Sequence, residues 1–138
     1  MKNIAVVTGG REHVLTDDQA TWLKGQLLEG FEWLLHGDAL GVDRACAAIA
    51  SSSPVRIKAF PYRSECGRAG GAVRNAEMAA AAIRWRDRQR AKGREADAVL
   101  LAFPGGRGTA DMIRKAKDAG MVIRYAPTAA PRQSLLPV

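Results

Sequence analysis

Residues 98–109 read AVLLAFPGGRGT, an apolar run that ends in a glycine-rich turn. The continuous apolar character of residues 98–103 predicts a strand that is buried on both faces of a parallel sheet. The turn at 104–106 ends this strand, and residues 109–119 have helical character. Residues 3–8 repeat the pattern, because four consecutive apolar residues precede a second glycine pair. We therefore expect two central strands, each followed by a glycine-containing loop.

The segments around these strands alternate between helix and strand character. A capping box of Thr16 and Gln19 predicts the start of a helix, whose apolar positions are Ala20, Leu23, Leu27 and Phe31. The remaining predicted elements are a strand over 32–36, a helix over 42–50, an edge strand over 55–59, a loop over 61–71, a helix over 72–93 and a strand over 121–125. This alternation predicts an α/β fold, a Rossmann-like doubly wound parallel sheet of about five strands in a single domain. We expect the domain to span residues 1–126 and residues 127–138 to form a flexible tail.

Composition favours a globular protein with anionic partners. The chain has 138 residues, 47% of them hydrophobic, and a formal net charge of +7. No apolar run is long enough to span a membrane, and the first residues lack a secretion-signal pattern. Cys46 and Cys66 are isolated thiols without metal-site spacing, so we expect no metal. Because no apolar run could span a membrane, we also expect no membrane partner. These features together predict a cytoplasmic protein.

Three predicted loops are candidates for binding an anion. They contain the glycine pair at 9–10, the pair Gly37 and Gly41, and the glycines within 105–109. Glycine lets backbone amides approach an anion closely, and the third loop leads into a helix N-terminus, which attracts phosphate. The alternative interpretation of each loop alone is a tight turn. No GxGxxG follows the first strand and no loop ends in GKS or GKT, which argues against a standard dinucleotide dehydrogenase or P-loop NTPase.

Four motifs carry a family resemblance. They are TGGR (8–11), HG…GVDR (36–37 and 41–44), GRAGGAVRNAEM (67–78) and AFPGGRGTADM (102–112). In this order they resemble the YspA-like, cpYpsA-related branch of the SLOG superfamily, over residues 3 to about 126. The resemblance implies a Rossmann-like fold that binds nucleotides or nucleotide derivatives, in some members as sensors. The superfamily also includes the LOG phosphoribohydrolases, which cleave nucleoside monophosphates, and the DprA family of DNA-processing proteins.

The loops and the resemblance together define the candidate site for a small phosphorylated ligand. The candidate ligand-binding residues are Gly9, Gly10, Arg11, Gly37, Gly41, Asp43, Arg74, Asn75, Pro104, Gly105, Gly106, Arg107, Gly108 and Thr109. Thr109 is expected to cap its helix or to donate its hydroxyl to a phosphate. Asp43 is a ligand contact, the N-cap of the second helix, or both.

The catalytic assignment stays open. In the LOG enzymes a glutamate follows the PGGxGT motif as acid–base catalyst, and Met112 occupies that position here. A thioether cannot transfer a proton, so the departure argues against LOG-type hydrolysis. Asp111 is one residue earlier and would point about 100° away around the helix. The remaining candidates for the lost carboxylate are Asp43, Glu77 and Asp111, and an enzyme is therefore an alternative to a binding protein.

A basic stretch ends the long helix. Arg84, Arg88 and Lys92 are candidates for contacts with nucleic acid, while a solvated basic helix end and a homo-oligomer contact are the competing interpretations. Trp85 is expected to anchor the helix to the core or to a partner chain. His13 and His36 are interpreted as a loop residue and a strand-end residue rather than as ligands. The hypotheses are thus a nucleotide-binding protein, a nucleotide hydrolase and a nucleic-acid-binding protein.

Overall fold

A computed structural model describes residues 2–128 and confirms the predicted fold class. The helices and strands are β1 (Asn3–Thr8), α1 (Asp17–Leu27), β2 (Phe31–His36), α2 (Val42–Ala50), β3 (Arg56–Ala59), a 3-10 helix (Ser64–Ala69), α3 (Gly70–Ala91), β4 (Ala98–Ala102), α4 (Arg107–Asp118) and β5 (Val122–Tyr125). The strands form one sheet in the order β3-β2-β1-β4-β5, and all neighbouring strands are parallel. The predicted flexibility of the tail concerns mainly residues 129–138, which lie outside the described residues.

The two most apolar strands are neighbours at the centre of the sheet, as predicted. Every residue of β1 and β4 is buried, and Val6 is in register with Leu100. Ile4 and Val6 pack with α3 and α4 on one face, while Ala5 and Val7 pack with α1 and α2 on the other. A strand covered on both faces needs apolar residues at every position, which explains its continuous apolar sequence.

Element boundaries differ from the prediction at several points. Phe31 was placed on the helical face of α1, but it begins β2, because Gly30 (φ 97°) reverses the chain after α1 has ended. The predicted loop over 61–71 contains the 3-10 helix and the first residues of α3. Helix α4 begins at Arg107, two residues earlier than predicted. The prediction of an edge position for β3 is correct.

The topology creates a switch point between β1 and β4. From β1 the chain passes through α1 to β2, which lies next to β1 toward one edge of the sheet. After β3 it returns through α3 to β4, which lies next to β1 toward the opposite edge. The loops after β1 and β4 therefore leave in opposite directions and open a crevice at the carboxyl ends of the strands. Among the helices within residues 2–128, none has the length and apolar character needed to cross a membrane.

Candidate functional site

An open cleft of about 840 Å³ lies where β1 and β4 end. Its walls are formed by residues 7–13, by Ala39, Leu40 and Asp43 between β2 and the first turn of α2, by Arg74 and Asn75 of α3, and by residues 104–109. All the candidate ligand-binding residues except Gly37 and Gly41 line this cleft. Loops that are far apart in sequence thus meet at the predicted edge of the sheet.

Gly37 and Gly41 shape the cleft without lining it. A side chain at Gly37 would place its first carbon 2.7 Å from Nη1 of Arg74, so glycine leaves space for the guanidinium group. Gly41 has a φ of 77°, and a Cβ there would lie 2.5 Å from the carbonyl oxygen of Gly10. Both glycines are therefore required by close packing behind the cleft wall.

The loops after β1 and β4 pack directly against each other. The amide of Gly10 donates a hydrogen bond to the carbonyl of Pro104 over 2.8 Å. A Cβ on Gly105 would lie 2.7 Å from the nitrogen of Gly10 and would also collide with the Thr109 hydroxyl. Side chains at either glycine would push the loops apart, so this contact fixes the floor of the cleft.

The N-terminus of α4 opens into the cleft with unused donors. Gly106 is the N-cap residue, and no side chain caps the helix. The amides of residues 106–109 have no acceptor among residues 2–128, and an added Cβ at Gly106 or Gly108 would meet nothing within 4 Å. The prediction that Thr109 caps this helix is wrong, because the helix starts before it and its side chain packs against Gly105.

Three arginines contribute positive charge to the same cleft. Arg11, Arg74 and Arg107 form no ion pair with any carboxylate within residues 2–128. Nη1 of Arg74 donates to the carbonyl of Gly37 over 2.9 Å, which holds the side chain at the cleft wall. Guanidinium groups that form no ion pair within the protein can bind the oxygens of a phosphate or carboxylate.

Asn75 joins the two helices that border the cleft. Its side chain is 4% exposed, and Nδ2 donates to the carbonyl of Gly108 over 3.2 Å and to Oδ2 of Asp111 over 2.9 Å. These bonds tie α3 to the first turn of α4. The amide group of Asn75 therefore positions the donors at 106–109 rather than presenting its own.

Asp43 is the only one of the three candidate catalytic carboxylates, all of which are described, that lines the cleft. Its Oδ2 accepts hydrogen bonds from the amides of Gly37 over 3.1 Å and Ala39 over 3.2 Å. Burial raises the pKa of the Asp43 carboxyl, although the Ala39 amide and the Arg74 guanidinium oppose this shift. Asp43 is not the N-cap of α2, because Gly41 holds that position. Its Oδ1 has no hydrogen-bond partner within residues 2–128.

The other two carboxylates are engaged away from the cleft wall. Glu77 pairs with Arg63 through a contact of 3.0 Å. Asp111 contacts Lys115 and Arg114, each at 2.6 Å. Partial burial would raise the pKa of Asp111, but the hydrogen bonds from Lys115 and Asn75 outweigh it and lower the pKa. Both groups stabilise helices in this arrangement.

The basic residues at the end of α3 are remote from the cleft. Arg84, Arg88 and Lys92 are exposed, recur once per helical turn and form no ion pair within residues 2–128. Thirteen residues separate Asn75 from Arg88, which corresponds to about 20 Å along the helix. Trp85 is 8% exposed and packs into the core on the α3 and α4 side of the sheet, so it anchors the helix internally.

Sequence reasoning missed part of the cleft wall. Glu12, His13, Ala39 and Leu40 line the cleft but were not proposed as ligand contacts. Only their sequence position could have identified them, because each lies within four residues of a predicted site residue in a loop that follows a strand. Within residues 2–128, no three His, Cys, Asp or Glu side chains cluster as a metal site would require.

Comparisons with known proteins add no relative to this picture. No protein-family model matches the chain. A search of curated protein sequences also finds no match. The chain is a Rossmann-like α/β domain with a donor-rich cleft at its switch point.

Proposed function

We propose that the protein binds a phosphate-bearing nucleotide or nucleotide derivative in the cleft, as a sensor-type member of the SLOG superfamily. One observation carries this proposal: the unused amides at 106–109 and the guanidinium groups of Arg11, Arg74 and Arg107 surround a single cleft. A helix N-terminus concentrates donors and partial positive charge, and arginine forks match phosphate oxygens. An anion with several acceptor atoms satisfies all these groups together.

The size and the second wall of the cleft support a nucleotide over a bare anion. A volume of about 840 Å³ lies within the range of small-molecule sites and exceeds the needs of a phosphate ion. Leu40 is 51% exposed at the cleft wall next to Ala39, and it offers apolar contact to a base. Asp43 and Glu12 add acceptors for sugar hydroxyls on that side. The cleft can thus hold an anionic end, a polar sugar and an apolar base.

Thermal unfolding with a panel of nucleoside monophosphates tests the proposal. Ligand at about a hundred times its Kd should stabilise the wild-type protein by about 2.7 kcal/mol. Gly106→Asp places a negative charge in open space among the amides, so it should abolish this stabilisation. Gly25→Asp adds the same charge on α1, where an added Cβ also meets nothing, and should leave the stabilisation intact.

Two outcomes would contradict the proposal. One is an unchanged melting temperature of the wild-type protein across the whole panel. The other is equal stabilisation of wild type and Gly106→Asp, which would place the ligand elsewhere on the molecule.

Hydrolysis of the bound nucleotide is a second proposal, and the position of Asp43 favours it. A cleft-lining carboxylate with a raised pKa and a free Oδ1 can accept a proton from a water that attacks the glycosidic carbon. Asp43→Asn keeps an oxygen to accept the Gly37 and Ala39 amides but removes the base. We expect wild type to release free base from a nucleoside monophosphate and Asp43→Asn to lose this activity while it still binds. Absence of turnover by the wild-type protein with every common nucleotide would rule out this activity.

A further inference from the structure

His13 lies in the cleft wall between β1 and α1 and is held by a buried partner. Its Nε2 is 2.7 Å from Oε1 of Gln19, and the Gln19 side chain is 1% exposed. Gln19 belongs to the capping box of α1, so its position is fixed by the helix start. A fixed hydrogen-bond partner at one ring nitrogen determines the tautomer of the neutral imidazole, and so whether the other nitrogen donates or accepts.

Two backbone groups determine which way the Gln19 amide points. Oε1 accepts a hydrogen bond from the Thr16 amide over 3.0 Å, and Nε2 donates to the carbonyl of Pro127 over 2.9 Å. A backbone N–H can only donate and a carbonyl can only accept, so the reversed amide would break both bonds. The oxygen therefore faces His13. Because that oxygen accepts, Nε2 of His13 must carry the hydrogen.

The second ring nitrogen of His13 is then a free acceptor in the neutral ring. Nδ1 has no hydrogen-bond partner within residues 2–128, and His13 is partly exposed. The amides at 106–109 and the three arginines of the cleft are all donors, whereas this lone pair is an acceptor, as are the carboxylates of Asp43 and Glu12. An ionised phosphate offers only acceptor atoms and would be repelled by it, whereas a hydroxyl group can donate to it.

We propose that Gln19 fixes His13 as the Nε2–H tautomer and that Nδ1 accepts a hydrogen bond from a sugar hydroxyl of the bound nucleotide. This inference rests on the proposed function and adds a selection for ribose hydroxyls to it. His13 contacts the ligand directly, and Gln19 is a positioning residue. The phosphate lies against the donors of α4, and the sugar lies toward the loop that follows β1.

The first test needs no ligand. Long-range nitrogen–proton correlation spectra of protein with nitrogen-15-labelled histidine report which ring nitrogen carries the hydrogen of a neutral imidazole. We expect His13 to be the Nε2–H tautomer, with a Gln19→Leu variant showing a mixture of both forms. A neutral His13 protonated on Nδ1 in the wild-type protein overturns the proposal.

The second test compares AMP, 2′-deoxy-AMP and 3′-deoxy-AMP by calorimetry. Loss of the contacted hydroxyl should weaken binding to wild type about 3- to 10-fold, the range for one neutral hydrogen bond. His13→Asn places an oxygen close to the position of Nδ1 and should keep this discrimination. His13→Gln reaches only the position of Nε2 and should bind all three nucleotides equally. Thermal unfolding of each variant confirms that it is folded.

The outcomes distinguish failure of the His13 contact from failure of nucleotide binding itself. Equal affinity of wild type for all three nucleotides, or discrimination that persists in His13→Gln, overturns the role of His13 and leaves nucleotide binding standing. Failure of AMP to bind any of the proteins removes the proposed function and the hydroxyl contact with it.

Discussion

Individual glycines around the cleft act through the close contacts that they permit. A Cβ on Gly9 would lie 2.5 Å from the side chain of Val42, and one on Gly10 would lie 3.2 Å from the carbonyl oxygen of Pro104. Gly106 and Gly108, in contrast, face open space. The first pair lets the loops pack, and the second pair leaves amides accessible to a ligand. The same residue type therefore serves two purposes within one site.

His36 provides a test of electrostatics at the scale of one residue. The side chain is 5% exposed, and its Nδ1 accepts a hydrogen bond from the Asp38 amide over 3.0 Å. Burial lowers the pKa of His36, and the opposing effects of Asp43 and Asp38 are smaller. The unfolded chain therefore binds a proton near its ordinary pKa of about 6.5, where the folded protein does not.

We expect the free energy of unfolding to decrease as the pH falls below about 6.5 toward the folded pKa of His36. His36→Asn keeps an acceptor near the Asp38 amide and cannot titrate, so this part of the pH dependence should disappear. Urea unfolding of both proteins between about pH 5 and 7 measures the difference. Identical pH dependence in wild type and variant would contradict the assignment.

At the scale of elements, periodicity and turn chemistry predicted most of the fold. The bounds of β1 and α2 follow from a continuous apolar run and from flanking glycines, and the Thr16 capping box is present as expected. The 3-10 helix at Ser64–Ala69 was missed because all its residues are exposed and its sequence has no repeating apolar position. Short helices of this kind carry no periodic signal.

Local motifs were enough to identify most of the residues that line the cleft, whereas contacts between distant parts of the chain were missed. The glycines and arginines of the cleft could be identified from the loops that hold them. The engagement of Asn75 with Gly108 joins residues 33 positions apart, and the orientation of His13 depends on Gln19 and on Pro127, 108 residues beyond Gln19. Such distances in sequence cannot be read from spacing or propensity.

The link between α3 and α4 gives a prediction at the element scale. Asn75→Ala removes the two hydrogen bonds that the buried Asn75 side chain donates to the Gly108 carbonyl and the Asp111 carboxylate. Each is worth about 0.5–1.5 kcal/mol, so the free energy of unfolding should fall by about 1–3 kcal/mol. Glu77→Ala, two residues along the same helix, removes a half-exposed ion pair worth at most about 1 kcal/mol. It also removes the buried Oε1, which has no hydrogen-bond partner in the part of the chain that the structure describes. Urea unfolding of both variants makes the comparison, and equal losses would contradict a bridging role for Asn75.

At the scale of the whole molecule, topology separates two groups of basic residues. The net charge of +7 includes the arginines of the cleft and the exposed row Arg84, Arg88 and Lys92 on α3. Only the first group lies at the switch point of the sheet, together with glycine loops and helix amides that can enclose a small anion. The second group is a row of charges on an open helical surface. We therefore expect the proposed nucleotide to bind in the cleft and to make no contact with the basic end of α3.

A titration of nitrogen-15-labelled protein with AMP, followed by two-dimensional amide spectra, tests this placement most directly. We expect saturating shifts in the amide signals of Gly10 and of residues 105–109, with residues 84–92 unchanged. An unchanged spectrum, or shifts confined to residues 84–92, would contradict nucleotide binding at the ends of β1 and β4.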